Sequence, residues 1–503
     1  MAEVALRLGI VTAYLLVALA VGLVAYRLTD RTAEDYYLAS RTLGTVVLLF
    51  TTFATLLSAF TFFGGPNISY GSGPEWILVM GVMDGVLFPI LWYVVGYKQW
   101  LVGRTHGYVT LGEMLGERFG SKPLRGLVAG ISLFWLFPYV MLQQMGAGTA
   151  LAALTDGAVP YWAGAGLITV FMIVYVVLAG MRGIAWTDTI QGAFMLVMVW
   201  GALLWILATI GGPSAATSRL AGSNPEFLAL GGGIYSPQFI ITQAVSIAFG
   251  VAMFPQVNQR FFVAKSKTVL KRTFTLWPLL VILLFVPAFM LGAWARGLGV
   301  EVAEGGNVLS VLLAEFAPGW FAALVIAGAM AAMMSSSDSM LLSGSSYFTR
   351  DIYRPFVDPD VSSRKEDLLA RAGVVAFASL AFVASLERPG TLIDIGSTAF
   401  GGFAQLALPV IAALYWTRTT RAGITAGIGV SQAYYWLVTF TDVTWVVTVA
   451  GNEIPLVADA YWGFGAALVG MVLGLAVTVG ASLVTSPAPT EDRGVYFEEL
   501  RAD

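Results

Sequence analysis

Seven small or hydroxylated residues, Gly328, Ala332, Ser335, Ser336, Ser339, Ser343 and Ser346, recur at steps of three and four in an otherwise apolar stretch. On a helix that spacing gathers them on one face. Ser335 and Ser336 follow Ala332 by about one turn, so two hydroxyls and the Ala332 carbonyl can converge on one point. Uncharged oxygens of this kind suit a hard cation such as sodium, by analogy with the oxygen preference of calcium and magnesium. The structural alternative is that the hydroxyls bond back to carbonyls four residues earlier and only let helices approach closely. A second segment, Ala54-Thr55-Leu56-Leu57-Ser58-Ala59-Phe60-Thr61, places hydroxyls and small residues mid-run, ahead of Gly64-Gly65-Pro66. An unwound turn there frees the carbonyls of Ala54 and Leu57; helix packing that ends in a Gly-Pro stop is its alternative.

Three acids, Asp84, Asp188 and Asp338, also fall inside apolar runs, where a carboxylate costs on the order of several kcal/mol and therefore points to function. Asp188 either caps its helix or completes a second cation site with Ser339. Asp338 projects about 120° away from the serine face at about 100° per residue, so a structural hydrogen bond is its expected role. Asp84 has three candidate partners: solute, proton or a buried hydroxyl. If Asp84 and Asp188 carry protons, coupling is to protons and the serine face is packing.

The elements that must position these groups are membrane spans. The chain has 503 residues, 58% hydrophobic and 11% charged, against about 25% charged in soluble domains. Apolar runs of about 20 residues, long enough to cross about 30 Å of hydrocarbon, recur from end to end. We place thirteen, at 5–27, 44–63, 76–97, 124–154, 160–180, 184–210, 235–256, 272–297, 319–347, 367–386, 392–416, 422–440 and 459–484. With this alternation, every Lys and Arg except Arg7, Arg219, Arg296 and Arg388 falls on one side. The positive-inside rule then puts the N-terminus outside and the C-terminus in the cytoplasm. Residues 5–27 lack a small-residue cleavage site and read as a span. Residues 305–318 are too short and charged to cross and read as an extracellular helix over the mouth. The loop 351–366 and the acidic tail 485–503 read as solvated connectors.

Composition also excludes. The chain has no cysteine, hence no disulfide, thiolate metal site or lipidated cysteine. The net charge of −3 gives no nucleic-acid surface, and no segment calls for an obligate protein partner. The single histidine, His106, lies in a loop, so neither bis-histidine haem nor an intramembrane metalloenzyme fits. No Lys or Arg is expected deep in any span, which excludes a retinal protein. A channel lacks the repeated pore motif it would need. The reading is a secondary transporter, not an enzyme.

Five segments resemble the sodium:solute symporter family: AEDYYLASRTLG (33–44), ATLLSAFTFFGGP (54–66), GMRGIAWTDTIQ (180–191), FPQVNQRFF (254–262) and AAMMSSSDSMLLSGSSYFTRDIY (331–353). The resemblance covers nearly the whole chain. It implies an all-α membrane protein with the 5+5 inverted-repeat fold of the bacterial leucine transporter. The repeats would be 44–210 and 235–416, with 5–27 and 422–484 peripheral, all in one transport domain of the cell membrane. It implies a sodium site from the carbonyls of Ala54, Leu57 and Ala332 and the hydroxyls of Ser335 and Ser336. A possible second cation site is Asp188 with Ser339. Asp338 stands where some two-sodium members carry serine, which leaves the stoichiometry open. The solute is expected near the bilayer midplane, with Ser58, Phe60, Thr61, Tyr139, Gln143, Gln256 and Gln405 as wall residues. The implied activity is sodium-driven symport of a small organic solute: a monocarboxylate or pantothenate-like acid first, then an amino acid such as proline.

Overall fold

The computed structural model describes residues 2–27, 33–441, 445–449, 452–457, 460–486 and 497–498. In hydrocarbon every backbone N–H and C=O must be satisfied within its own segment, so apolar runs of this length become helices. Among the described residues nine helices are long and apolar enough to cross a membrane, and two bent pairs bring the total to eleven. The 50-residue helix Tyr161–Ile210 is two spans joined at Gly180, whose backbone (φ 58°, ψ −170°) lies in a glycine-only region. Together with the 20-residue helix Arg421–Phe440, each of the thirteen expected spans has a helical counterpart.

Side chains near the helix ends hold several of the links together. Arg7 bonds both the Leu154 carbonyl (2.9 Å) and Asp156 (3.1 Å), and the Arg388 guanidinium lies 3.6 Å above the Tyr161 ring. The N-terminus and the links near 156 and 388 thus share one end. At the other end Arg125 pairs with Asp351 (2.8 Å) and Glu113 (3.0 Å), and Arg350 pairs with Glu113 (3.0 Å) and Glu366 (3.2 Å).

The helices sort by burial. In the most apolar stretch of Gly319–Phe356 83% of residues are buried, and in Leu392–Tyr415 78%, against 28% in both Ala2–Ala25 and Ala466–Val484. The serine-bearing helix is therefore the centre of the molecule, and the first and last helices lie at its periphery.

Three expected boundaries are corrected. Gly64-Gly65-Pro66 does not stop the second span: helix resumes at Phe60 and runs to Ser72, ending at Gly73 with φ 110°. Pro66 falls in the first turn of its segment, where a missing N–H costs little. The seventh span does not end near 256 but is itself broken, Pro237–Met253 being followed by Pro255–Val263 at 56°. A residue before proline is driven out of the α region, and Phe254 is extended (φ −58°, ψ 129°). The last helix begins at Ala466, not 459, because Ala460–Tyr461 and Phe464–Gly465 pair as a tight hairpin. Trp462 and Gly463 turn it with φ 51° and 85°, as a two-residue hairpin of the primed type requires. A further antiparallel pair, Trp445–Val449 with Asn452–Val457, precedes it. The expected short helix near 305–318 is Val308–Phe316, packed on the serine helix and on Gly65–Ser72. The expected tail 485–503 lies largely outside the described residues.

Candidate functional site

The first broken span holds the first half of the site. Thr45–Leu56 and Phe60–Ser72 meet at 60°, and Leu57 between them is extended (φ −84°, ψ 126°). Carbonyls in the turn before such a break lose their i+4 amide donors and are free to serve other partners. The serine helix supplies them. Ser335 Oγ lies 2.6 Å from the Ala54 carbonyl and 3.1 Å from that of Ala332. Ser336 Oγ lies 2.8 Å from the Thr55 carbonyl and 2.5 Å from that of Leu57. All five residues expected at the sodium site are brought together, and Thr55 adds an oxygen that sequence reasoning missed. Ala54, Leu57, Ala332, Ser335 and Ser336 are fully buried. The set is neutral, oxygen-only and dry, which fits a dehydrated alkali ion.

One turn away, Asp188 and Ser339 are also brought together, but not alone. Thr51 donates to Asp188 Oδ2 at 2.5 Å and Thr55 at 3.4 Å, while Thr55 and Ser339 hydroxyls lie 2.9 Å apart. Among them sits the Arg260 guanidinium, 3.3 Å from Asp188 Oδ2, with both side chains 1% exposed. Arg260, expected in the cytoplasmic loops, is instead buried within the protein, so the expectation of no arginine among the buried site elements does not hold. Running the chain on past the second break, as Pro255–Val263, carries its side chain into the protein.

The expected wall residues divide. Ser58 and Tyr139 share a hydrogen bond (3.1 Å), and Gln143 accepts from the Ala59 amide (2.9 Å) while donating to the Tyr139 carbonyl (3.2 Å). Gln143 thus replaces a bond the broken helix has lost. Phe60 meets the Phe400 ring at 5.2 Å, and Tyr139 meets Phe254 and Phe400 at 5.2 Å each. Phe254 and Phe400, which the sequence analysis missed, complete this aromatic box; the Phe-Pro at 254–255 was the legible signal for the first. Thr61 is buried in the turn beside Phe60. Gln256 is buried, with neither amide atom hydrogen-bonded among the described residues. Gln405 is not part of the group: it bonds the carbonyls of Gly401 (2.8 Å) and Ala467 (3.0 Å), facing the last helix.

The other two acids stand apart. Among the described residues both carboxyl oxygens of Asp84 are buried without a hydrogen-bond partner, and so is Oδ1 of Asp338. The structural hydrogen bond expected at Asp338 is therefore absent at that oxygen.

Two broken helices beside a helix that lines one break with hydroxyls define a secondary transporter of the leucine-transporter fold. The chain belongs to the sodium:solute symporter family, whose profile matches residues 36–430. It is similar to the sodium/pantothenate symporter of Escherichia coli (strain K12), 27% identical over 483 residues covering 94% of this chain and 98% of that relative. It is also similar to the sodium/proline symporter of Haemophilus influenzae, 28% identical over 451 residues covering 84% and 87%. Among solved structures it shares its fold with a Na+-coupled sialic acid symporter in a substrate-bound outward-open state. That likeness has a TM-score of 0.79 at 21% identity and covers 96% of this chain and 99% of the other. A nucleobase-cation-symport-1 family transporter in a closed conformation follows, with a TM-score of 0.60 at 15% identity over 92% and 97%. The chain is a multi-pass membrane transporter that couples solute movement to sodium, not an enzyme.

Proposed function

We propose that this protein moves a small organic acid of the pantothenate or monocarboxylate kind into the cell, one sodium ion being bound by Ala54, Leu57, Ala332, Ser335 and Ser336. The observation that carries the reading is the meeting of six neutral oxygens, from Ala54, Thr55, Leu57, Ala332, Ser335 and Ser336, across the first helix break, directly beside Ser58, Tyr139 and the aromatic box. Shared use of the broken helix makes the coupling physical. An ion holding the carbonyls of 54–57 fixes the neighbouring Ser58–Thr61 turn on which the solute rests, so each ligand favours the state the other prefers. A pantothenate-like solute fits the mixture of hydroxyls, amides and rings. Its carboxylate would meet Ser58, Tyr139 and the amide ends of the broken helix, since the nearby guanidinium of Arg260 is engaged by Asp188. The kinship with pantothenate symporters supports the same solute class.

The charge asymmetry of the loops supports an N-terminus outside and a C-terminus in the cytoplasm of the cell membrane. Residues 44–210 and 235–416 are the two repeats in this reading, each opening with a broken helix.

The test is uptake of labelled pantothenate, lactate and proline into proteoliposomes under an inward sodium gradient. We expect the acid to be taken up, and Ser336→Ala to weaken sodium affinity about tenfold or more, on the order of 1–3 kcal/mol for one lost ligand oxygen. Full uptake driven by a pH gradient without sodium, with Asp84 or Asp188 essential, would return coupling to protons. Unchanged sodium dependence in Ser336→Ala would remove the proposed site.

A further inference from the structure

Near its last turns the span Ile77–His106 carries Tyr93, Tyr97, Trp100 and Arg104 at steps of four, three and four, a spacing that lines them along one helix face. The rings form a ladder: Tyr93 and Tyr97 stack at 5.6 Å between centres and 17°, Tyr97 and Trp100 at 6.2 Å and 14°. Two cations sit on it. Lys271 Nζ lies 4.6 Å from the centre of the Tyr97 ring and 5.6 Å from that of Tyr93, and the Arg104 guanidinium lies 5.5 Å from that of Trp100. Arg104 also donates to the Lys265 carbonyl (2.8 Å), and the exposed Arg272 follows Lys271. Further into the spans the same two helices expose apolar side chains, Val82, Val86 and Ile90 on one, Leu279 and Ile282 on the other. We propose that this surface binds a diacyl phospholipid with an anionic headgroup. Lys271 holds the headgroup, Arg104, Lys265 and Arg272 supply the surrounding positive charge, and the acyl chains lie along the exposed apolar faces.

Charge selects the headgroup. Arg125 and Arg350 each pair with two acids, whereas among the described residues Arg104, Lys265, Lys271 and Arg272 have no carboxylate at ion-pair distance. A zwitterionic lipid would bring its ammonium among four like charges with no acid to meet it, and an anionic one meets charge of the opposite sign. The chain seat follows from helical phase. Lys271 shares a face with Leu279 and Ile282, and Tyr93 shares one with Val82, Val86 and Ile90. Because Lys271 lies over Tyr93, the two apolar faces adjoin on one side of the helix pair, directly below the cations. Tyr93 itself is half exposed, an amphipathic ring at the boundary where headgroup gives way to chain. The site also touches the moving parts of the fold. Trp100 Nε1 donates to the Ala264 carbonyl (3.0 Å) and the Lys265 amide to that of Leu43 (3.1 Å), so the link that ends the helix Pro255–Val263 is pinned between the ladder and the start of the first broken span. A headgroup seated here steadies the far half of the second broken span.

None of these residues belongs to the sodium cage or the aromatic box, so the test needs neither ion nor solute. The full-length protein, delipidated in a neutral detergent, is titrated with dioleoyl phosphatidylglycerol, dioleoyl phosphatidylethanolamine or glycerol phosphate while its melting temperature is followed. Phosphatidylglycerol should raise the melting temperature saturably in wild type, and the other two should not. Lys271→Gln or Arg104→Gln should raise the half-saturating lipid concentration about fivefold, and the two together about twentyfold. Arg354→Gln, which removes an exposed cation beside Asp351 and outside the cluster, should leave it unchanged. Equal stabilisation by phosphatidylethanolamine would show an unselective lipid shell, and equal stabilisation by glycerol phosphate a site for free phosphate; either result overturns the proposal. So does an unchanged titration in the Lys271→Gln/Arg104→Gln variant, or an equal weakening in Arg354→Gln. Should the double variant fail to fold, the two single variants carry the same comparison.

Discussion

Ser58, Tyr139 and Gln405 show how much depends on where a polar side chain points. A buried hydroxyl contributes only if it has a partner, and the Tyr139 hydroxyl shares one with Ser58 at 3.1 Å, against the face of the broken turn. Losing that hydroxyl in Tyr139→Phe should raise the solute KM about fivefold, the equivalent of about 1 kcal/mol for one hydrogen bond, with sodium affinity nearly unchanged. Gln405→Ala should leave solute KM alone, because its amide serves Gly401 and Ala467 on the side of the last helix, and should lower thermal stability instead. Uptake kinetics beside detergent melting curves check both; a large KM effect from Gln405→Ala would return it to the solute site. The residue types at this site were legible because hydroxyls and amides in apolar runs stand out. The direction of each side chain was not, because helical phase is set by which neighbour each face meets.

At the scale of helices, glycine decides how closely two backbones approach. A Cβ at Gly292 would lie 2.2 Å from the Pro66 carbonyl oxygen, and one at Gly250 2.3 Å from that of Phe400. Both neighbours are backbone and have nowhere to go. Gly292→Ala should therefore cost about 1–3 kcal/mol by overpacking, measured as a lowered melting temperature, and should slow transport by displacing Gly65–Ser72. Gly429→Ala, with nothing within 4 Å, should leave the melting temperature unchanged or slightly raised; equal losses in both variants would show that the contact is not what matters. The two breaks contrast in origin. Pro255 writes the second one into the sequence by restricting Phe254, and a local rule suffices to find it. Leu57 has no such neighbour, and its extended backbone holds because Ser335, Ser336 and Gln143 take up the hydrogen bonds the helix forgoes.

Across the whole molecule, alternating access requires one end to open while the other is held. The network of Glu113, Arg125, Arg350, Asp351 and Glu366 ties four helical segments at the end opposite Arg7. Asp351 is fully buried, so Asp351→Asn should weaken this closure by on the order of 1–3 kcal/mol through its lost pairing with Arg125. Because the chain has no native cysteine, a single cysteine replacing the buried Ser346 reports on that end. Its labelling by a membrane-impermeant maleimide should rise severalfold in Asp351→Asn, and unchanged labelling would mean other contacts hold the end shut.

The sequence by itself determined the solvent, the number of spans and their alternation, because hydrophobic length and the distribution of Lys and Arg are one-dimensional properties. It also marked the serine face and the acids, since a polar group in hydrocarbon is costly wherever it points. Only the tertiary structure decided that Ser335 and Ser336 meet Ala54, Thr55 and Leu57, that Gln405 turns away, and that Arg260 lies beside Asp188. Those outcomes depend on which helices become neighbours after two of them break, and an energetic choice among distant partners leaves no periodic trace along the chain.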